Sequence, residues 1–463
     1  MMEFITPTNV SGLPQKEAEQ LQELADIYTA HKSRNEQKNK YYEGKISLSS
    51  VNLGIALPDG LSRLEIGCAW GAKCVDVLAA RSMFDGFVGR NGETLNELDD
   101  LVQANRLIAQ YAPAARDELK FGCTFATLSG DREIGCKIRF HSPRTAAAKW
   151  NGDKGRIDCG FAVIDTAPDN NKNWRPALIY LYTDDSIWAL RRTDSRWDAV
   201  RYPQKMGRPL MEPMIWNATS DKPFGRSRIK EPVRRLIDGY VRTIANASIG
   251  LEFDTSPQKY LLGVTDEQYE EVTSAKFRQY VGSIIASTTN PETGEKPSFG
   301  QLQQGSLTPH VEMIRVLATQ FSAATGLPVS DTGVVNDANP TSSEAILAQS
   351  QTLVGMAEQL NTGNGDALRT IALMALAVAN DTTVDGLTDE QKAVMARFRN
   401  PAMPSVSVTA DAAIKIASSR PAFAQTDTFL EMIGFSQADI RRIKGQETRA
   451  RGLALLSELE AEG

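Results

Sequence analysis

Residues 225–253, GRSRIKEPVRRLIDGYVRTIANASIGLEF, decide how this chain is read. Val233, Leu236, Ile237, Tyr240, Val241, Ile244, Ala247 and Leu251 recur at the i, i+3, i+4, i+7 spacing of one helical face. About 26 helical residues, rising roughly 1.5 Å each, span about 40 Å. Pro232 suits the first turn with Glu231 ahead of it; a helix beginning at Ser227 would lose a hydrogen bond there. Arg226, Arg228, Arg234, Arg235 and Arg242 make part of the surface basic. They read either as a phosphate-binding face or as a solvated face whose stems pack on neighbours. Two more helices follow, after a small insert and a Pro-flanked loop. That order suits a wall or a channel better than a catalytic pocket.

Downstream, residues 256–307 form an insert with a strand at 259–262, a helix at 267–281 and a loop at 290–294. Thr308 as cap and Pro309 at the first position open the next helix. It turns Val311, Ile314, Leu317, Ala318, Phe321 and Ala324 inward and stops at Gly326-Leu-Pro328. Residues 329–340, VSDTGVVNDANP, follow neither period, and loops of that length are usually functional or unstructured. Thr341-Ser-Ser-Glu344 is a capping box for a helix to 360. Further helices are predicted at 366–380, 388–399 (a second box, Thr388 with Gln391), 410–417, 426–433 and 437–461. Upstream, helices are predicted at 13–42, 70–81 and 93–119. Between 121 and 216 β-branched and aromatic runs alternate with turns. Strands at 136–140 and 177–182 and a hairpin turn at Asn151-Gly152 are the clearest features. The fold class is α+β.

The chain has 463 residues, enough for two or three domains with real cores. Its 41% apolar and 23% charged content is that of an ordinary globular protein. The net charge of −6 excludes a phosphate-binding polycation, though not a surface past which DNA slides without sticking. Cys68, Cys74, Cys123, Cys136 and Cys159 form no CxxC and read as buried free thiols in a reducing compartment. With His31, His141 and His310 as the only histidines, no zinc site is expected. The start, MMEFITPTNV, lacks the pattern of a signal peptide. The longest apolar run, 371–379, is nine residues, against about 20 for a membrane span.

Gly130-Asp-Arg-Glu-Ile-Gly135-Cys-Lys137 resembles a phosphate loop, but cysteine stands where lysine belongs, so a hairpin turn is the simpler reading. The histidines make no triad, and Asp184-Asp185 and Asp99-Asp100 read as turn or solvated residues. No catalytic constellation emerges. A nucleotide-dependent enzyme using residues 130–137, and a helical scaffold that forms no ring, are the alternatives to a channel.

Several segments, in order, resemble the portal proteins of tailed bacteriophages, in their siphophage branch. They are Tyr41-Tyr-Glu-Gly44; the helix from Trp70 to Arg81 with Phe84-Asp-Gly-Phe87; Phe224-Gly-Arg-Ser227; Ser256-Pro-Gln-Lys259 with Leu262-Gly263; Phe321-Ser-Ala-Ala-Thr-Gly-Leu-Pro328; and Pro340-Thr-Ser-Ser-Glu344. The wording is similar to portals of phages that infect actinobacteria.

The resemblance implies a portal fold: a mixed α/β wing, a long-helix stem, a small α/β clip and a helical C-terminal crown. The wing would be 1–224 and 341–404, the stem helices 225–254 and 308–327, the clip 255–307, the tunnel loop 328–340 and the crown 405–463. It implies a non-enzymatic ring, usually of twelve subunits, at one capsid vertex, with no cofactor, no metal and no membrane. Double-stranded DNA would pass through it during packaging and ejection. Its partners would be the major capsid protein, terminase and head-completion or adaptor proteins. It would sit in the virion, and in the host cytoplasm during assembly. Val329, Ser330, Asp331, Asn336, Asp337 and Asn339 would face DNA. This loop carries no Lys or Arg, and carboxylates repel phosphates, so it would be smooth rather than gripping. Arg234, Arg235, Tyr240, Arg242, Glu312 and Arg315 would lie at stem interfaces, and Lys259, Glu292, Glu295 and Lys296 would dock partners at the clip.

Overall fold

A computed structural model describes residue 7 and residues 9–47, 65–90, 95–168, 172–193, 196–255, 259–264, 284–288, 298–301, 306–333, 343–402, 406–435 and 437–462. The chain divides into two compact units, one of residues 1–36, 75–228 and 341–463, the other of residues 37–74 and 229–340.

The first unit is built on antiparallel sheet. Strands β4 (Cys123–Asp131), β5 (Gly135–His141), β6 (Ala146–Asn151), β7 (Arg156–Pro168), β8 (Trp174–Tyr182), β9 (Ser186–Thr193), β10 (Arg196–Pro203) and β11 (Met211–Ile215) follow in the chain. They form a five-stranded sheet in the order β10-β9-β8-β7-β6 and a three-stranded sheet β11-β4-β5. Residues 131–135 make the hairpin expected there, with Asp131 Oδ1 accepting from the Glu133 N–H at 2.9 Å. The Asn151 turn also stands, between β6 and β7. One face of the larger sheet packs on helix α1 (Gln15–Tyr42) through Leu21, Leu24 and Tyr28 against Phe161, Leu181 and Trp188. His141, half-buried and hydrogen-bonded to Thr127 Oγ1 at 3.0 Å, is pushed down to about 4 by desolvation and the Arg139 charge.

Helices complete this unit, and here three expectations fail. The stretch 93–119 is two helices, α3 (Asn96–Ala104) and α4 (Leu107–Phe121). Asn105 breaks it: its amide donates to Cys136 O at 2.9 Å and accepts from Ile138 N at 2.8 Å, and Arg106 takes a left-handed φ of 50°. Conversely, the two helices expected at 341–360 and 366–380 are one, Ser343–Ala379, of 37 residues. Its interior Asn364 donates to Tyr111 Oη at 3.0 Å and Glu118 Oε2 at 2.7 Å, so tertiary bonds outweigh weak helix propensity. The third failure is 388–399. The capping box of Thr388 and Gln391 forms in full but opens one turn of helix, Asp389–Lys392. Strand Met395–Phe398 then pairs with strand Phe84–Val88, a partner about 310 residues away that no local pattern announces. The apolar run predicted to be too short for a membrane is the C-terminal end of the long helix, with residues 371–377 buried. Among the described residues no helix is long and apolar enough to cross a membrane. Near the C-terminus, helices run Val406–Ser419, Asp427–Ile433 and Gln437–Glu462.

The second unit holds the long helices. Helix α5 is Glu231–Thr255, of 25 residues, with Pro232 in its first turn as expected. Helix α6 is Thr308–Thr325 and ends at Gly326, whose φ of 70° only glycine adopts readily. Its N-cap is Leu307, one residue before the expected Thr308, and makes no side-chain cap. Between them strand β12 (Lys259–Val264) is two residues longer than expected. It pairs parallel with β13 (Ile284–Thr288) and antiparallel with β14 (Ser298–Gln301). The helix expected at 267–281 and the loop at 290–294 lie outside the described residues, as does most of the 341–344 capping box.

Candidate functional site

The second unit is organised by the pairing of α5 and α6. Val233, Ile237, Val241 and Ala245, four residues apart, are buried on α5; Leu317, Ala318 and Phe321 are buried on α6. Gly239 lets the helices meet, since a Cβ there would stand 3.2 Å from Leu317 Cδ2. Of the face expected for α5, Leu251 is 44% exposed. Of the inward face expected for α6, Val311 and Ala324 are exposed, and Met313 and Val316, outside that face, are exposed too. Val311, Met313 and Val316 are each nearly half exposed, at 46, 47 and 49%. Three large apolar side chains within six residues of one helix are not covered by the chain's own fold.

A tryptophan from helix α2 (Trp70–Ala79) packs on this pair where the N-terminal half of α5 meets the C-terminal half of α6. The Trp70 ring sits 4.6 Å from that of Tyr240 and 4.8 Å from that of Phe321. Its Nε1–H donates to Thr332 O at 3.1 Å. Thr332 ends a 3-10 turn, Val329–Thr332, which follows Pro328 and begins the stretch expected to face DNA. Val329 and Asp331 are half-buried and Ser330 is exposed. Asn336, Asp337 and Asn339 lie outside the described residues. Trp70 was quoted in the family resemblance but not singled out as a site residue. A Trp-Gly pair at a helix start was the available signal; that it faces two distant helices was not legible.

The arginines of α5 resolve individually. Arg235 is exposed and pairs with Glu231 one turn back, at 2.6 Å. Arg234 donates to Ile229 O at 3.0 Å and lies 6.0 Å over the Tyr41 ring. Tyr41 in turn donates to Asp238 Oδ1 at 2.8 Å. Burial raises the Asp238 carboxyl, opposed by that hydrogen bond and by the Arg234 and Arg242 charges. Burial and the Asp238 bond push the Tyr41 hydroxyl up. Arg234 thus packs within its own unit. Arg242 is exposed on the helix. Glu312 and Arg315, expected at an interface, pair with each other at 2.8 Å on the exposed side of α6. Of the clip residues, Lys259 starts β12, and Glu292, Glu295 and Lys296 lie outside the described residues.

Residues 21–451 match the family described as phage portal protein, SPP1 Gp6-like. The chain belongs to this family. The portal is a structural part of the phage particle, the connector between head and tail. No curated protein matches the chain. Among solved structures it is similar to the neck of an empty GTA particle computed with C6 symmetry, at 13% identity and a TM-score of 0.44, over 81% of this chain and 89% of that one. It is also similar to the neck of a native GTA particle computed with C12 symmetry, at 13% identity and 0.43, over 79% and 89%.

Proposed function

We propose that this portal chain closes into a ring of about twelve subunits related head to tail, through which double-stranded DNA enters and leaves the capsid. The family match over residues 21–451 carries this reading. In it, α5 and α6 are the stem and the neighbouring subunit covers Val311, Met313 and Val316. Residues 328–340 are the channel loop, residues 255–307 the clip, residues 1–224 and 341–404 the wing, and residues 405–463 the crown. Terminase, then head-completion or adaptor proteins, dock at the clip around Lys259, Glu292, Glu295 and Lys296, and the major capsid protein surrounds the wing. The ring assembles in the host cytoplasm and works in the virion. It performs no catalysis; the ATP-driven step belongs to terminase.

The loop supports a sliding rather than a gripping role. Residues 328–340 carry Asp331 and Asp337 and no basic residue, so the DNA phosphates meet only like charge there. Replacing both aspartates by lysine should slow packaging and ejection while electron microscopy still shows rings. Normal DNA transit in intact rings of the double variant would remove the loop from the channel.

A further inference from the structure

We infer that Trp70 is a positioning residue for the channel loop: its indole ties the root of that loop to the packing of α5 against α6. The inference rests on the reading of residues 328–340 as the channel loop; the tie itself rests on geometry within the second unit. The turn at the loop root closes most of its own hydrogen bonds. Asp331 N donates to Pro328 O at 3.0 Å, Gly333 N to Ser330 O at 3.3 Å, and Thr332 Oγ1 to Val329 O at 2.6 Å. The Thr332 carbonyl points elsewhere, into the Trp70 N–H, and both residues are buried. Directly after it, Gly333 turns the chain with a φ of 81°. The orientation of the loop as it leaves the turn therefore depends on where the indole sits.

The indole in turn has little freedom. One ring on each helix flanks it, Tyr240 from α5 and Phe321 from α6. Its backbone cannot retreat, because the next residue is jammed against the end of α1: a Cβ on Gly71 would stand 1.9 Å from Tyr41 O. A shift of α5 along α6 moves the two flanking rings in different directions. The indole must follow one of them, and the Thr332 carbonyl follows the indole or loses its donor. A change in stem packing, from a neighbouring subunit or a docked partner, thereby reaches the loop through one hydrogen bond.

Trp70→Phe keeps an aromatic ring between Tyr240 and Phe321 but removes the N–H. In hydrogen–deuterium exchange on assembled rings, amides 331–333 should exchange about fivefold to tenfold faster, with amides 237–245 unchanged. Unchanged exchange at 331–333, or an equal rise at 237–245, overturns the inference. Phe321→Leu retains the donor but removes one wall of the stack, and should speed 331–333 by a smaller factor; no change there also overturns it. A photoreactive cross-linker at Ser330 separates the two layers. Exchange as expected without cross-linking to DNA in packaged particles overturns the channel-loop reading alone. Cross-linking with unchanged exchange overturns the Trp70 tie alone.

Discussion

Two apolar helical stretches, one in each unit, meet opposite fates. Residues 371–377 of the 37-residue helix are all buried, among them Ile371, Met374 and Leu376. The first half of α6 leaves Val311, Met313 and Val316 nearly half exposed. Residues 371–377 are uninterrupted apolar, whereas Glu312 and Arg315 break the apolar run of α6, and what packs around the two differs as well. The first unit wraps two sheets and α4 about its helix and completes a core from one chain. In the second, among the described residues, α6 has one long helical partner, α5, which covers the Leu317–Phe321 half. A helix apolar beyond its covered stripe is waiting for another surface. The lesson is that one chain can complete the core of its first unit and leave apolar side chains exposed on a helix of its second.

The largest effect expected from this contrast is in the finished core. Leu376 is 1% exposed, and Leu376→Ala should cost about 2–5 kcal/mol of unfolding free energy, as buried leucines do when the cavity cannot collapse. Urea unfolding of the dissociated protein measures it. A loss well under 1 kcal/mol would mean that the first unit is looser than its burial shows.

A smaller effect of opposite sign comes from the polar centre of that same core. Glu118 is fully buried, and among the described residues the only hydrogen bond to its carboxyl group is from Asn364, with Oε1 unpartnered. Burial pushes its carboxyl up to about 8. The folded state therefore keeps a proton that the unfolded chain releases above its ordinary carboxyl range. Between roughly pH 4.5 and pH 8 the native state binds more protons, so this group makes the protein progressively less stable as pH rises through that window. Glu118→Gln keeps an acceptor for Asn364 and removes the titration. It should be more stable than the parent at pH 8, by on the order of 1 kcal/mol or more, and lose that advantage near pH 4. Parallel denaturation curves at both pH values would show a constant difference if Glu118 were instead ionised in the fold.

How much of this was legible follows the same division between local and distant causes. Helices α5 and α6 were readable because their signals are local: the i, i+4 series Val233, Ile237, Val241, the proline in the first turn, and Gly326 at the stop. The Thr388–Gln391 box was read correctly for the same reason. Its helix was overextended because β-pairing of residues 395–398 depends on residues 84–88. Asn105 and Asn364 misled in opposite directions. One breaks a helix by bonding a strand's backbone; the other sits inside a helix because Tyr111 and Glu118 receive its amide. Neither partner is visible from the asparagine's own neighbours. In the candidate site, Tyr240 was placed on the right helix while Trp70, which stacks on it, was not singled out. The arginines were read as a group, yet one caps its own turn's glutamate and another packs on Tyr41.

The smallest expected change in stability is the one that decides the comparison. Met313→Ser together with Val316→Ser alters side chains 47 and 49% exposed in the single chain. Surface changes of this kind stay within about 0.5 kcal/mol, so urea unfolding of the dissociated protein should barely move. In the proposed ring a neighbouring subunit would cover the same two side chains, and replacing them by polar groups would remove apolar burial at every subunit contact at once. Ring formation, followed by sedimentation or negative-stain images, should fall steeply while each chain remains folded. Because the contact repeats around a closed ring, a modest loss per interface multiplies, and the assembly responds where the monomer does not. Intact rings from the double variant would show that α6 meets its neighbour elsewhere, and the exposed half of the helix would no longer mark the second unit as unfinished.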